Sequence, residues 1–333
     1  MAELEKMAGV RIDGLQYTNY NRELFEDLKA AGLDCVHVTL AYWEDARQCL
    51  TLFSKWNRHF VEHSDLIMPV KTGADIVKAR ETGKVGIVFG AQNCSPIDAE
   101  LGLVEVMNGL GLKFMQLTYN NQSLIGAGCF ETEDPGISRF GKNVIAEMNR
   151  VGMVIDMSHS AERTTLEAID ISSRPISITH ANPLSFKKSL RNKSKAVLSA
   201  LTERGGMLGF VLYPLFLKDG AETSLEDFTE MVADTADRYG VDNIGIGSDL
   251  CRNWPYEVVE WMRNGSWTFE TVYGEGGAGV REWPKQPEWF EKASDFIKIE
   301  SGLKRQGFHS TEIDKILGLN WYRFMDESFA PQS

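Results

Sequence analysis

Residues 153–192 read MVIDMSHSAERTTLEAIDISSRPISITHANPLSFKKSLRN. Two apolar runs, 153–157 and 175–178, are each followed one residue further on by a histidine, His159 and His180, and a helix-length amphipathic segment lies between them. That is a strand, helix, strand unit. In parallel α/β proteins the carboxyl ends of neighbouring strands open on one crevice, so the two imidazoles are expected to converge within a metal's reach. One histidine alone at a strand end is better read as a satisfied polar residue; the pair is what points to a site.

The same alternation extends in both directions. Strand-like runs at 10–14, 35–41, 85–90, 114–119, 206–213 and 243–249 join the two above to make eight. Helix-like segments at 19–32, 42–63, 98–110, 138–151, 193–204 and 224–239 separate most of them, and a short run at 66–70 precedes a further helix that closes with Gly83. The run VGIVFG at 85–90 is apolar throughout, as a strand buried on both faces must be. Eight strands alternating with helices predict an α/β fold, a (β/α)8 TIM barrel, as one domain over 1–333. Residues 250–285, rich in Trp, Glu and Gly, read as an excursion serving as a lid or a homodimer surface, and 286–333 as closing helices. The glycine-rich loop at 124–136 exceeds the usual connection length and is a candidate functional loop.

Composition narrows the function classes. With 333 residues, 43% hydrophobic and 25% charged, the chain is ordinary for a soluble protein, and no apolar run nears the roughly 18 residues of a membrane span. A net charge of −12 repels a phosphate backbone, which argues against nucleic acid as a partner and leaves a small-molecule substrate. Five cysteines, odd in number and without a CxxC pair, suit reduced thiols. The first residues, MAELEKMAGV, lack the basic start and apolar stretch of a secretory signal, so the expected location is cytoplasmic.

Barrel enzymes build their sites at strand ends. The polar residues collected there are Asp13, Gln92, Tyr119, Asp156, His159, His180 and Asp249. His159, His180 and Asp249 make a donor set for one Zn2+ with a position left for water, and an adjacent carboxylate can take the proton as water attacks a carbonyl. Asp249 alone reads equally as a helix cap. His59 and His63 stand four apart on an outer helix without the Glu of a HExxH pattern and read as a solvated face, while His37 reads as core. Cys129 and Glu131, in the glycine-rich loop, are placed to line a pocket, the thiol being inert there.

The order DMSH (156–159), ITHA (178–181), RN (191–192), GIGSD (245–249) and GLNWYR (318–323) resembles the renal (membrane) dipeptidase family, peptidase family M19, among the amidohydrolase-like metal hydrolases. The likeness runs from Ile12 to Arg323. It implies that His159 and His180 bind one of two zinc ions, that Arg191, with Asn192 beside it, holds the substrate's carboxylate, and that Asp249 binds the other zinc and handles the proton. Arg suits that role by its planar fork.

The departures from the family cluster in one place. Where it opens with Asp-Gly-His-x-Asp, this chain has Asp13, Gly14, Leu15, Gln16 and Tyr17; Gln92 replaces the zinc-bridging Glu, and Tyr119 replaces the His of Leu-Thr-His. A neutral amide lacks the charge that lets two dications sit close together, so a binuclear site is not expected. One Zn2+ at most is expected, on His159 and His180 with Asp249 or Gln92, and Tyr119 as a donor to an oxyanion. The set 12–14, 21–27 and 92–93 also resembles a bacterial side branch of the family that accompanies genes for methylated-amine or betaine breakdown. Two readings stand: a metal-dependent hydrolase of a small amide or dipeptide-like compound bearing a carboxylate, or a degenerate member with altered chemistry or a purely binding role.

Overall fold

The computed structural model describes residues 6–264 and 282–332. In chain order its strands are β1 (Ile12–Thr18), β2 (Cys35–Ala41), β3 (Ile67–Pro69), β4 (Val85–Ala91), β5 (Leu112–Gln116), β6 (Val154–Asp156), β7 (Ser177–Ile178), β8 (Met207–Phe210), β9 (Ile244–Ile246) and β10 (Leu250–Arg252). All pair in parallel, in the order β10, β1, β2, β4, β5, β6, β7, β8, β9, with β3 beside the amino-terminal half of β4. Every residue of β1, β2 and β4 is buried, which is why these runs show no polar alternation.

The two ends of that order are successive pieces of one final strand. β9 pairs with β8 and β10 with β1, and only residues 247–249 separate them. Across the break the Asp249 N–H donates to Leu15 O at 2.9 Å, and Gly247 N–H to Phe210 O at 3.1 Å. The sheet therefore curls into a barrel whose ladder is interrupted at Asp249. That residue sits at φ +54°, a conformation uncommon outside glycine. Beneath it Asp13 ties β1 to the turn: its carboxylate accepts from the Ser248 N–H at 2.8 Å, Ser248 Oγ at 2.6 Å and Gln16 Nε2 at 2.8 Å.

Helices fall between strands where side chains can cap them. Asn21 Oδ1 accepts from the Leu24 N–H at 3.0 Å to start Arg22–Ala30, and Ser194 and Ser224 begin Lys195–Glu203 and Leu225–Tyr239 in the same way. The helix expected over 42–63 begins only at Ala46, because Asp45 forms a capping box with Gln48. Residues 42–45 thus stay non-helical, and Tyr42 and Trp43 are buried together with Tyr17 and Tyr119.

The carboxyl-terminal helices Phe296–Arg305, Ser310–Asp314 and Asn320–Phe329 return to the barrel. Trp321, fully buried, enters it from the amino-terminal end of the strands: its neighbour Asn320 donates to Val241 O and Ile244 O, and its own Nε1 donates to Ile246 O at 2.9 Å. A Cβ on Gly14 or Gly245 would stand 2.5–2.6 Å from the indole and one on Gly209 3.0 Å, so three strands leave out side chains to admit this ring. None of the five cysteines is disulfide-bonded, and among the described residues no helix is long and apolar enough to cross a membrane. Of the 250–285 excursion, 265–281 lies outside the described residues.

Candidate active site

The carboxyl ends of β6 and β7 bring the two histidines together. Asp156, the last residue of β6, is fully buried and accepts four hydrogen bonds: Ser158 N–H at 3.0 Å, Ser158 Oγ at 2.6 Å, Thr179 N–H at 3.1 Å and Thr179 Oγ1 at 2.5 Å. One carboxylate so fixes the backbone just before each imidazole. Burial raises its pKa, against the pull of those donors.

The rings then meet: His159 Nε2 lies 3.0 Å from His180 Nε2. On the far side of each ring, Nδ1 is engaged. His159 Nδ1 faces Asn120 Oδ1 at 2.7 Å, and His180 Nδ1 faces Thr179 Oγ1 at 2.8 Å. An amide oxygen can only accept, and the Thr179 hydroxyl proton goes to Asp156, so both Nδ1 atoms are donors. Burial, and after it the charge on Arg191, holds both imidazoles well below their ordinary pKa and therefore neutral. Two Nε2 lone pairs consequently point at each other. Two imidazoles on one tetrahedral ion at 2.0–2.1 Å place their nitrogens about 3.4 Å apart, close to the observed separation. The pair fits a metal ion, with Nδ1 partners that set the tautomer a ligand needs.

Two buried cations clamp the loops that carry the rings. Arg191 donates through Nη1 to Ser158 O and through Nη2 to His180 O at 3.0 Å, and lies over the Phe216 ring at 4.9 Å. Its Nε has no protein partner. Lys193 Nζ donates to Met157 O at 2.9 Å and Ser160 O at 3.0 Å, and burial brings its pKa down to about 7. The glycine-rich loop completes the bracket. Cys129 N–H donates to His159 O at 2.8 Å, and Gly128 lies so close to Asn120 that a Cβ would stand 2.1 Å from its carbonyl.

Beside the His159 ring is a cavity of about 40 Å³, lined by His159, Arg191, Asp249, Tyr119, Gln92 and Asn120 and walled by Phe216 and Met262, whereas His180 is fully buried behind it. Burial pushes the Asp249 carboxyl up to about 7, opposed by Arg191, so it holds or releases a proton near neutrality. Tyr119 stacks on His159 with ring centroids 4.0 Å apart, and burial, then Asp249, keeps its hydroxyl protonated. Gln92 donates to Thr39 Oγ1 at 2.8 Å and to Tyr42 Oη at 2.9 Å. Asn192 lies apart: its amide accepts from the Asn182 N–H and donates to Lys187 O and Phe216 O, so it braces the loop behind Arg191.

The residues proposed from sequence as metal ligands are not gathered equally. His159 and His180 converge, but their ligand atoms and those of Asp249 do not all lie within 4.8 Å of one another; among the described residues only His59, Glu62 and His63 form such a group of three. On β1, Leu15 is buried and Tyr17 packs against Tyr42 at 4.6 Å and Trp254 at 4.9 Å, so aromatic rings occupy that side of the mouth. His37 is core, its Nδ1 2.7 Å from Gly14 O and its ring stacked on Phe114. The roles of Asn120, Thr179 and Lys193 were not legible beforehand. Asn120 follows β5 in the polar run Tyr119, Asn120, Asn121, Gln122, and its partner His159 is 39 residues away.

Comparison with known proteins agrees with this architecture. Residues 7–256 match the membrane dipeptidase family, peptidase family M19. Dipeptidase verJ of Clonostachys rogersoniana is 29% identical over 269 residues, and dipeptidase tcpJ of Claviceps purpurea 23% identical over 268. These matches take in 79% and 80% of this chain but 61% and 56% of the relatives, so the chain spans less than two thirds of their length. A solved amidohydrolase of Pseudomonas aeruginosa superposes with a TM-score of 0.90 at 33% identity, covering 98% of both chains. The chain belongs to the membrane dipeptidase family, peptidase family M19, among the amidohydrolase-like hydrolases.

Proposed function

We propose that this protein is a metal-dependent hydrolase that cleaves an amide bond in a small carboxylate-bearing substrate of dipeptide type, using one ion at most. The observation that carries the reading is the approach of His159 Nε2 and His180 Nε2 to 3.0 Å, with the Nδ1 of each ring facing an oxygen. His159 and His180 hold the ion, which when bound supplies Lewis acidity and an activated water. Asp249, with its pKa near 7, takes the proton that the attacking water gives up and returns it to the leaving amine. Arg191 offers the substrate carboxylate its unpartnered Nε and the remaining N–H groups of its fork. Tyr119 donates its hydroxyl proton to developing negative charge on the carbonyl oxygen. Gln92 orients Tyr42, and Phe216 and Met262 exclude bulk water.

A second reading, binding without hydrolysis, is favoured by one observation. Tyr17 stands where the family has a first-strand ligand, and no third His, Cys, Asp or Glu among the described residues joins the two imidazoles at ligand distance. Metal analysis of protein purified without chelator, together with a panel of dipeptides including those with a D-residue at the carboxyl end, separates the two. Hydrolysis that depends on one equivalent of zinc and disappears in His180→Ala supports the first reading. A chain that holds no ion at the two histidines and cleaves nothing overturns it in favour of the second.

A further inference from the structure

We propose that His59, Glu62 and His63 form a second site for a divalent transition-metal ion, on the outer wall of the barrel and independent of the mouth. The sequence His-Phe-Val-Glu-His has the spacing of the His-Glu-x-x-His zinc pattern in the opposite chain direction, and i, i+3 and i+4 positions share one helix face. In the structure one ligand atom from each of the three lies within 4.8 Å of the others. The two imidazoles are not a solvated face. They stack with centroids 5.7 Å apart and a 22° interplanar angle, and Phe25 packs against both at 5.6 and 5.2 Å. Trp56 adds a third ring, 5.4 Å from His59. The pair is thus held in place before any ligand arrives, and both Nδ1 atoms are buried without a hydrogen-bond partner.

The position within the fold favours a cation. His59 is in the last turn of Ala46–Glu62 and His63 is its C-cap, where the helix dipole presents negative charge. Two imidazoles and a carboxylate form a donor set suited to zinc and its neighbours rather than to magnesium or calcium, which take oxygen ligands. Exposed Glu62 leaves the remaining coordination positions to water, so an ion here would staple the last helical turn.

The test is Zn2+ titration of the chelator-stripped full chain by calorimetry, in wild type, in His180→Ala, and in His180→Ala with His63→Gln or Glu62→Gln added. The expected result is one equivalent that persists in His180→Ala and, in that background, is lost on adding His63→Gln and weakens on the order of tenfold on adding Glu62→Gln. Glu62 is exposed, so that variant reports on binding even where His63→Gln folds poorly. Zinc should also raise the Tm of His180→Ala and not that of the double variant His180→Ala with His63→Gln. Absence of zinc binding in His180→Ala, or binding in that background unchanged by both His63→Gln and Glu62→Gln, overturns the proposal.

Discussion

Replacing Asn120 by glycine tests the wiring of the histidine pair with little disturbance elsewhere. Asn120 sits at φ +58°, which glycine adopts freely, so Asn120→Gly removes the amide acceptor without backbone strain. The loss leaves the His159 Nδ1–H, now 2.7 Å from that amide, buried with no partner. An unmade hydrogen bond in such a place costs about 1–3 kcal/mol, and the ring avoids it by moving its proton to Nε2 or by turning. Either response withdraws the lone pair that faces His180. At 1.4 kcal/mol per tenfold, affinity for zinc at the mouth should fall by about 10–100-fold. Asn120→Asp keeps an oxygen at the same place and should keep the affinity. Long-range proton–nitrogen NMR of the metal-free protein gives an independent readout: His159 is expected as the Nδ1–H tautomer in wild type and Asn120→Asp, and not in Asn120→Gly. A wild-type His159 protonated at Nε2, or an Asn120→Gly variant with unchanged tautomer and affinity, would refute the reasoning whether or not the protein hydrolyses anything.

Other consequences can be measured directly. Trp321→Ala should lower stability by about 3–5 kcal/mol in urea unfolding, because the three glycines around the indole leave nothing to fill the void. Burial raises the Asp13 pKa from 3.8 to about 6, so the native state binds that proton more tightly than the unfolded chain. The resulting stabilisation, about 3 kcal/mol, is complete below the unfolded pKa and lost as pH rises through about 6. Asp13→Asn should therefore gain on wild type between pH 4 and pH 7 in unfolding midpoints, and parallel pH curves would contradict this. Asp249→Asn should reduce kcat by about 10²–10⁴-fold while zinc stoichiometry at the mouth persists, since the two histidines and not Asp249 converge at ligand distance. Loss of the ion in that variant would make Asp249 a ligand instead.

Much of this protein is legible from local pattern. Apolar runs such as 85–90 and 35–41 mark strands buried on both faces, and Ser224 marks a helix start, because capping and burial act over a few residues. His159 and His180 could be paired in advance, since successive parallel strands deliver their carboxyl ends to one side. The helix start at Ala46 was displaced because a capping box outweighed the apolar pattern of 42–45.

What needed the tertiary structure is every relation between residues distant in the chain. The Asn120 contact that sets the tautomer of His159, the Lys193 clamp on Met157 and Ser160, and the packing of Tyr17 against Trp254 join residues 33 to 237 positions apart, with no periodicity to announce them. The sequence alone determined that two imidazoles would share a barrel mouth, because strand direction and side-chain alternation are local properties. Which atoms of those rings face each other was decided by buried partners such as Asn120, brought in from another strand end, since only the folded barrel removes the water that would otherwise satisfy them.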